Sequence, residues 1–118
     1  MAVYDIFGAI PQTIQGCDML STATNAAVLM PDFFEGKPMT MSAFPPNTDE
    51  KKKLFEKFRD TKTTLEPNVQ ILKAVLSAAK EKEEWKTLPW GGYGLCWGGK
   101  VCISCPARET RRLSGIHF

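Results

Sequence analysis

The spacing of apolar positions changes repeatedly along the chain, and each change marks a candidate element. Ala2-Val3-Tyr4-Asp5-Ile6-Phe7 reads as a strand that ends in a turn at Gly8. Pro11 suits the first turn of a helix, and Ile14, Cys17 and Leu20 then recur at helical spacing until Asn25 closes it. Ala26-Ala27-Val28-Leu29-Met30 is a continuous apolar run stopped by Pro31-Asp32, the pattern of a strand buried on both faces of a parallel sheet. Phe33 to Pro38 continues as a loop, and Met39 to Pro46 is irregular, with Phe44 expected to tuck beneath it. Loops that follow strands in this way line ligand crevices in open α/β sheets.

The second half is more regular. Thr48 or Asn47 caps a helix expected from Asp49 to Arg59, with Leu54, Phe55 and Phe58 as its apolar stripe. A longer helix is expected from Pro67 to Glu84, where Val69, Leu72, Val75, Leu76 and Ala79 form one face. Leu88-Pro89-Trp90-Gly91 leads into a central strand that Pro89 keeps short. A helix from Trp97 to Cys105 follows and is ended by Pro106, and Arg111 to Ile116 is a weak strand candidate leading to His117. The order of strands and helices argues an α/β class: a partial three-layer sandwich around a mostly parallel sheet of about four strands.

The most informative stretch is Gly92-Tyr93-Gly94-Leu95-Cys96-Trp97-Gly98-Gly99-Lys100. A short apolar run breaks into a glycine-flanked turn and then starts a helix, giving G-x-C-x-G. Nucleophile elbows carry this pattern around a serine. The turn is so sharp that the central residue takes a strained backbone conformation, and the residues two before and two after must be nearly free of side chain. The sulfur of Cys96 would then face the amino end of the next helix, where partial positive charge favours a thiolate. The competing reading is that Cys96 packs as a small buried hydrophobe, as free cysteines commonly do.

Composition narrows the alternatives. The 118 residues suffice for one small domain. Fifteen basic against 13 acidic residues do not point to nucleic acid, and Lys51-Lys52-Lys53 beside Asp49 and Glu50 reads as a solvated helix face. The sequence carries no apolar run of about 18 residues and no signal peptide, so no membrane partner and a cytoplasmic location are expected. Cys17, Cys96, Cys102 and Cys105 are too few and too uneven for a secreted disulfide scaffold. Cys102-Ile103-Ser104-Cys105 is formally C-x-x-C, but a zinc site needs a second pair and His117 does not complete one, so no metal and no cofactor are expected.

Three separated motifs share one resemblance. Tyr4-Asp5-Ile6-Phe7-Gly8, Met30-Pro31-Asp32-Phe33-Phe34-Glu35-Gly36 and Gly92 to Lys100 resemble, in this order, the dienelactone hydrolase family and especially its fungal members. The resemblance covers most of residues 1 to 105. It implies a single domain over residues 1–118, truncated relative to the family's α/β-hydrolase fold, and hydrolysis of a small ester or lactone through an acyl-thiol intermediate. It implies Cys96 as nucleophile and the backbone N–H groups of Ile6 and Trp97 as oxyanion hole. Asp5 stands where bacterial members carry a Glu that modulates the nucleophile. The family's catalytic Asp and His lie on later loops, and no Asp follows Asp60 here. After Cys96 only Glu109 and His117 remain as acid and base, and His117 matches a position near the family's pocket rim.

Each of these residues also has a plainer role. Asp5 can cap its own turn, and Asp32 can fix the loop after Pro31. Cys17 reads as core, and Trp85, Trp90 and Trp97 read as packing. Phe33 and Phe34 serve equally as lid, pocket wall or core. The function therefore divides between a cysteine hydrolase and a catalytically inactive fragment or interaction module that self-associates through an exposed sheet edge. A redox-responsive thiol protein using Cys96, Cys102 and Cys105 is the remaining reading.

Overall fold

The computed structural model describes residues 1–105. Their elements run β1 (Ala2–Val3), α1 (Pro11–Thr24), a 3-10 turn (Met41–Ala43), α2 (Asp49–Lys62), α3 (Leu65–Lys80), β2 (Tyr93–Gly94) and α4 (Trp97–Ser104). β1 and β2 pair in parallel, with Ala2 opposite Tyr93 and Val3 opposite Gly94. Backbone bonds extend the pairing at both ends, from Tyr93 N–H to Met1 O at 2.9 Å and from Leu95 N–H to Val3 O at 3.3 Å. The Met1 ammonium donates to Gly91 O at 2.8 Å, and burial lowers its pKa.

This architecture corrects the fold class expected from periodicity. The described chain is mostly helical around a two-stranded parallel sheet, not a three-layer sandwich on about four strands. The apolar run at Ala26–Met30 forms no ladder. Ala2 N–H reaches Leu29 O at 2.7 Å, but Ala26 and Ala27 are exposed, so the run is not buried on both faces. Strand propensity expresses packing against neighbours, and a two-residue strand offers this run almost nothing to pair with. The other expected strand, Arg111 to Ile116, lies outside the described residues, as does His117.

The helices follow their local chemistry. Pro11 stands at the first turn of α1, and Asn25 ends it in the left-handed conformation. Of its apolar residues only Cys17 is buried, while Ile14 and Met19 face solvent. Thr48 caps α2 by accepting Lys51 N–H at 3.3 Å, and Asp49 and Glu50 sit in the first turn where the helix dipole favours them. α3 starts earlier and ends earlier than its periodicity implies; its buried face is Val69, Leu72, Leu76 and Ala79. The Asn68 side chain is also buried there, and its Nδ2 donates to Lys62 O and Thr64 O at 2.9 and 2.7 Å, tying α3 to the end of α2.

The core is aromatic at its centre. Phe34 is fully buried and packs against Tyr4, Phe58 and Trp97, with ring centroids 5.2, 5.0 and 4.9 Å away. Phe33 meets Tyr4 and Trp97 edge-on, and Val3, Val69, Leu72 and Val101 fill the remaining space. Phe33 and Phe34 are therefore core residues. Phe44 is not tucked away; it is 47 % exposed, edge-on to Phe7. Tyr4 is held at its polar end too. Its hydroxyl donates to Asp32 Oδ1 and accepts Phe34 N–H, both at 3.0 Å.

Burial pushes the Tyr4 phenol up to about 12 from its ordinary 10.0. The folded state holds this proton more tightly than the unfolded chain. Its contribution is complete below pH 10 and is lost as pH rises through about 12. Tyr4→Phe should destabilise the fold by about 1–2 kcal/mol, because Phe34 N–H and Asp32 lose a partner. The variant's unfolding midpoint should also fall less steeply than wild type between pH 10 and 12, as read by denaturant titration at each pH. Equal slopes in the two proteins would show that another group governs alkaline unfolding.

Candidate functional site

β1 and β2 are parallel, so the segments that follow them leave the sheet at the same edge. By count from the paired Val3 and Gly94, Asp5 and Cys96 each stand two residues beyond the last pair of their strands. Cys96 occupies the apex between β2 and α4. Its backbone lies at φ 53° and ψ −119°, and it is the N-cap of α4. Positive φ is uncommon for a residue with a side chain and costs about 1–3 kcal/mol, which the surroundings must overcome. The thiol is exposed, not packed inside, so the buried-hydrophobe reading does not hold for Cys96.

The surroundings that hold this conformation are glycines. A Cβ on Gly98 would come within 3.0 Å of the carbonyls of Val3 and Tyr4, and one on Gly94 would meet the backbone of Gly98 and Gly99 equally closely. These are main-chain atoms that cannot swing aside. The strand–turn–helix unit closes only if the positions two before and two after Cys96 carry no side chain. Within the turn Gly98 N–H donates to Leu95 O at 2.8 Å and Lys100 N–H to Cys96 O at 3.3 Å.

Several amides stand as open donors at this edge, among them those of Asp5, Ile6, Cys96 and Trp97. After β1, Phe7 N–H donates to Asp5 Oδ1 at 2.8 Å and Gly8 N–H to Asp5 O at 3.2 Å, while Ile6 O accepts Met39 N–H at 2.9 Å. Among the described residues the N–H groups of Ile6 and Trp97 have no acceptor. Both belong to the segments that leave the strands beside each other.

The carboxylate of Asp5 is taken by its own turn. Its hydrogen bond goes to Phe7 N–H and not to the thiol of Cys96, and the same bond shapes the turn that presents Ile6. Asp32 fixes its own loop, accepting Tyr4 OH and Phe34 N–H. Trp97 directs its side chain into the core and donates from Nε1 to Thr63 O at 3.0 Å, so only its backbone faces the elbow. His117 and Glu109 lie outside the described residues.

Cys17 and Cys102 are pushed up by burial, with Asp18 adding to the effect at Cys17 and Cys105 adding to it at Cys102. Among the described residues no group of His, Cys, Asp and Glu could hold a metal ion. No described helix is long and apolar enough to cross a membrane.

Sequence reasoning missed the parts of the site supplied by the first strand. The carbonyls of Val3 and Tyr4, against which Gly98 packs, carry no signal in the sequence because every residue has a carbonyl. The same holds for Thr63 O, which orients Trp97.

Gly98→Ala should destabilise the fold by about 1–3 kcal/mol, since the added methyl meets fixed backbone. Gly16→Ala, in α1 with nothing within 4 Å of the new Cβ, should be neutral or stabilising by up to about 1 kcal/mol. Urea unfolding of the two variants checks the contrast, and equal stability would show that the close approach at Gly98 does not constrain the elbow.

Comparison with known proteins gives two relatives. The chain is 38 % identical over 104 residues to an uncharacterized AIM2 family protein of Schizosaccharomyces pombe, covering 87 % of this chain and 41 % of that protein. It is 30 % identical over 105 residues to a second uncharacterized AIM2 family protein of the same yeast, covering 89 % of this chain and 41 % of the relative. The chain thus spans about two fifths of the length of the curated relatives it matches. No protein-family model matches, and no solved structure matches.

Proposed function

We propose that this chain carries the nucleophile and oxyanion-binding part of a cysteine hydrolase for small esters or lactones. The observation that carries the reading is the backbone of Cys96 at φ 53° and ψ −119°, between a strand and a helix, with its thiol exposed. The resemblance of the three motifs to the dienelactone hydrolase family supports it. In the first step the sulfur of Cys96 attacks the acyl carbon, and the carbonyl oxygen becomes an oxyanion that the amides of Ile6 and Trp97 stabilise. Collapse of this intermediate expels the alkoxide, which takes up a proton, and leaves an acyl-thioester. Water then attacks the thioester, releasing the carboxylic acid and restoring the thiol. Asp5 acts by holding the turn that presents Ile6. The substrate is a small ester or lactone, and the cytoplasm is the compartment we assign, because the four cysteines are all free thiols.

Deacylation needs a base that activates water, and no described residue supplies one beside Cys96. The chain should therefore give a burst with 4-nitrophenyl acetate, releasing one nitrophenolate per chain, followed by slow turnover. Mass spectrometry of the stopped reaction should place one acetyl group on Cys96, and Cys96→Ala should abolish both the burst and the adduct. A burst that persists in Cys96→Ala would overturn the assignment.

A second reading is an inactive interaction module. Tyr93, Leu95 and Ile103 are exposed around β2 and α4, Ile103 at 84 %, and among the described residues β2 pairs only with β1. A second copy pairing along that open edge would cover them. A protein that sediments as a dimer and gives no burst would favour this reading.

A further inference from the structure

The function proposed above uses Cys96 at the start of α4 and leaves the two cysteines at its other end unexplained. Cys102 lies in the last turn of α4, and Cys105 caps that turn. Both are half-buried and pack against the core cluster that contains Phe34 and Val101. Cys96 stands six positions before Cys102. That is about 9 Å along a helix, too far for a disulfide between them.

Cys102 and Cys105 are three positions apart, close to one helical turn. Side chains at this spacing have Cβ atoms about 5–6 Å apart, and a disulfide holds them at about 3.5–4.5 Å. The remaining gap closes at Cys105. Its N–H bonds Cys102 O at 3.2 Å, which keeps the turn together, while its ψ of 117° has left the helix. It therefore moves without disturbing the turns before it. The environment does not favour the reduced pair. Burial pushes the Cys102 thiol up, and the partial negative charge at the carboxyl end of a helix disfavours a thiolate. A dithiol resists oxidation when one of its thiolates is stabilised, and nothing of that kind acts on Cys102.

We infer that Cys102 and Cys105 form a dithiol–disulfide pair that exchanges with low-molecular-weight disulfides such as oxidised glutathione. The Cys105 thiolate attacks one sulfur of oxidised glutathione, forms a mixed disulfide and expels one glutathione thiolate. The Cys102 thiolate then attacks the Cys105 sulfur and expels the second. Two protein thiols are oxidised, one glutathione disulfide is reduced to two glutathione thiols, and the two cysteine protons pass through solvent to them. Cys96 has no second thiol within reach among the described residues, so the same reagent leaves it as a mixed disulfide. The pair does not depend on the hydrolase reading.

The test incubates the reduced full chain with oxidised glutathione at about pH 8, blocks the remaining thiols with N-ethylmaleimide in denaturant, and maps the peptides by mass spectrometry. The segment with Cys102 and Cys105 should lose two hydrogens and carry neither reagent, and excess reduced glutathione should restore both thiols. Cys96 should carry glutathione. Cys17, buried in α1, should be recovered as a free thiol, which reports that the fold stayed intact. In Cys102→Ser the glutathione on Cys105 should persist, because the thiol that displaces it is gone. The proposal is overturned if Cys102 and Cys105 are both recovered as thiols when Cys96 is fully modified. It is equally overturned if they end as two separate mixed disulfides, if Cys105 stays unmodified in Cys102→Ser, or if their disulfide forms only together with oxidation of Cys17.

Discussion

The approach of Gly98 to the carbonyls of Val3 and Tyr4 is the contact on which the described structure turns. It presses the start of α4 against β1, while Gly94 lets the same helix lie against β2. With both close contacts made, the chain between them has no room for an ordinary strand-to-helix connection. Cys96 is forced to positive φ, and its thiol is lifted out of the sheet edge. Strain of about 1–3 kcal/mol at one residue persists only where the neighbours over-determine it. Here the neighbours are backbone atoms of Val3, Tyr4 and the first turn of α4.

The aromatic core supplies the force that keeps those backbones together. Phe34 is in contact with Tyr4 after β1, Phe58 on α2 and Trp97 at the start of α4. Trp97 adjoins Cys96 in sequence, so burying its ring anchors the first turn of α4 and leaves its amide at the edge of the sheet. Tyr4 does the same on the other strand. Its ring is buried, its hydroxyl is tied to Asp32 and Phe34, and the next residues form the Asp5 turn that carries Ile6. Packing on one side of the sheet edge thus orients main-chain donors on the other.

The two ends of the small sheet have different chemistry. Where the strands end, Cys96 is exposed and the amides of Ile6 and Trp97 have no acceptor among the described residues. At the end where β2 begins, Trp85 and Trp90 meet edge-on beside the segment that follows α1.

Local chemistry was legible in the sequence wherever a residue type has one dominant conformational use. Pro11 and Asn25 bound α1, Thr48 caps α2, the stripe from Val69 to Ala79 marks the buried face of α3, and the glycines around Cys96 mark a turn no other residues fit. The extent of the sheet was not legible. Ala26–Met30 has the composition of a buried strand, yet it makes a single bond to β1 through Leu29 and leaves its first residues exposed. A strand is defined by the partner beside it, and periodicity within one segment says nothing about whether a partner exists. The roles of Asp5 and Asp32 were left open by sequence for a related reason. A carboxylate can cap a turn or meet a distant group, and only the folded chain decided that Asp5 bonds Phe7 while Asp32 bonds Tyr4. By itself, then, the sequence determined where the backbone must bend and which side chain stands at the bend. Tertiary structure decided what faces that bend, because carbonyls and amides are identical in every residue and acquire meaning only from position.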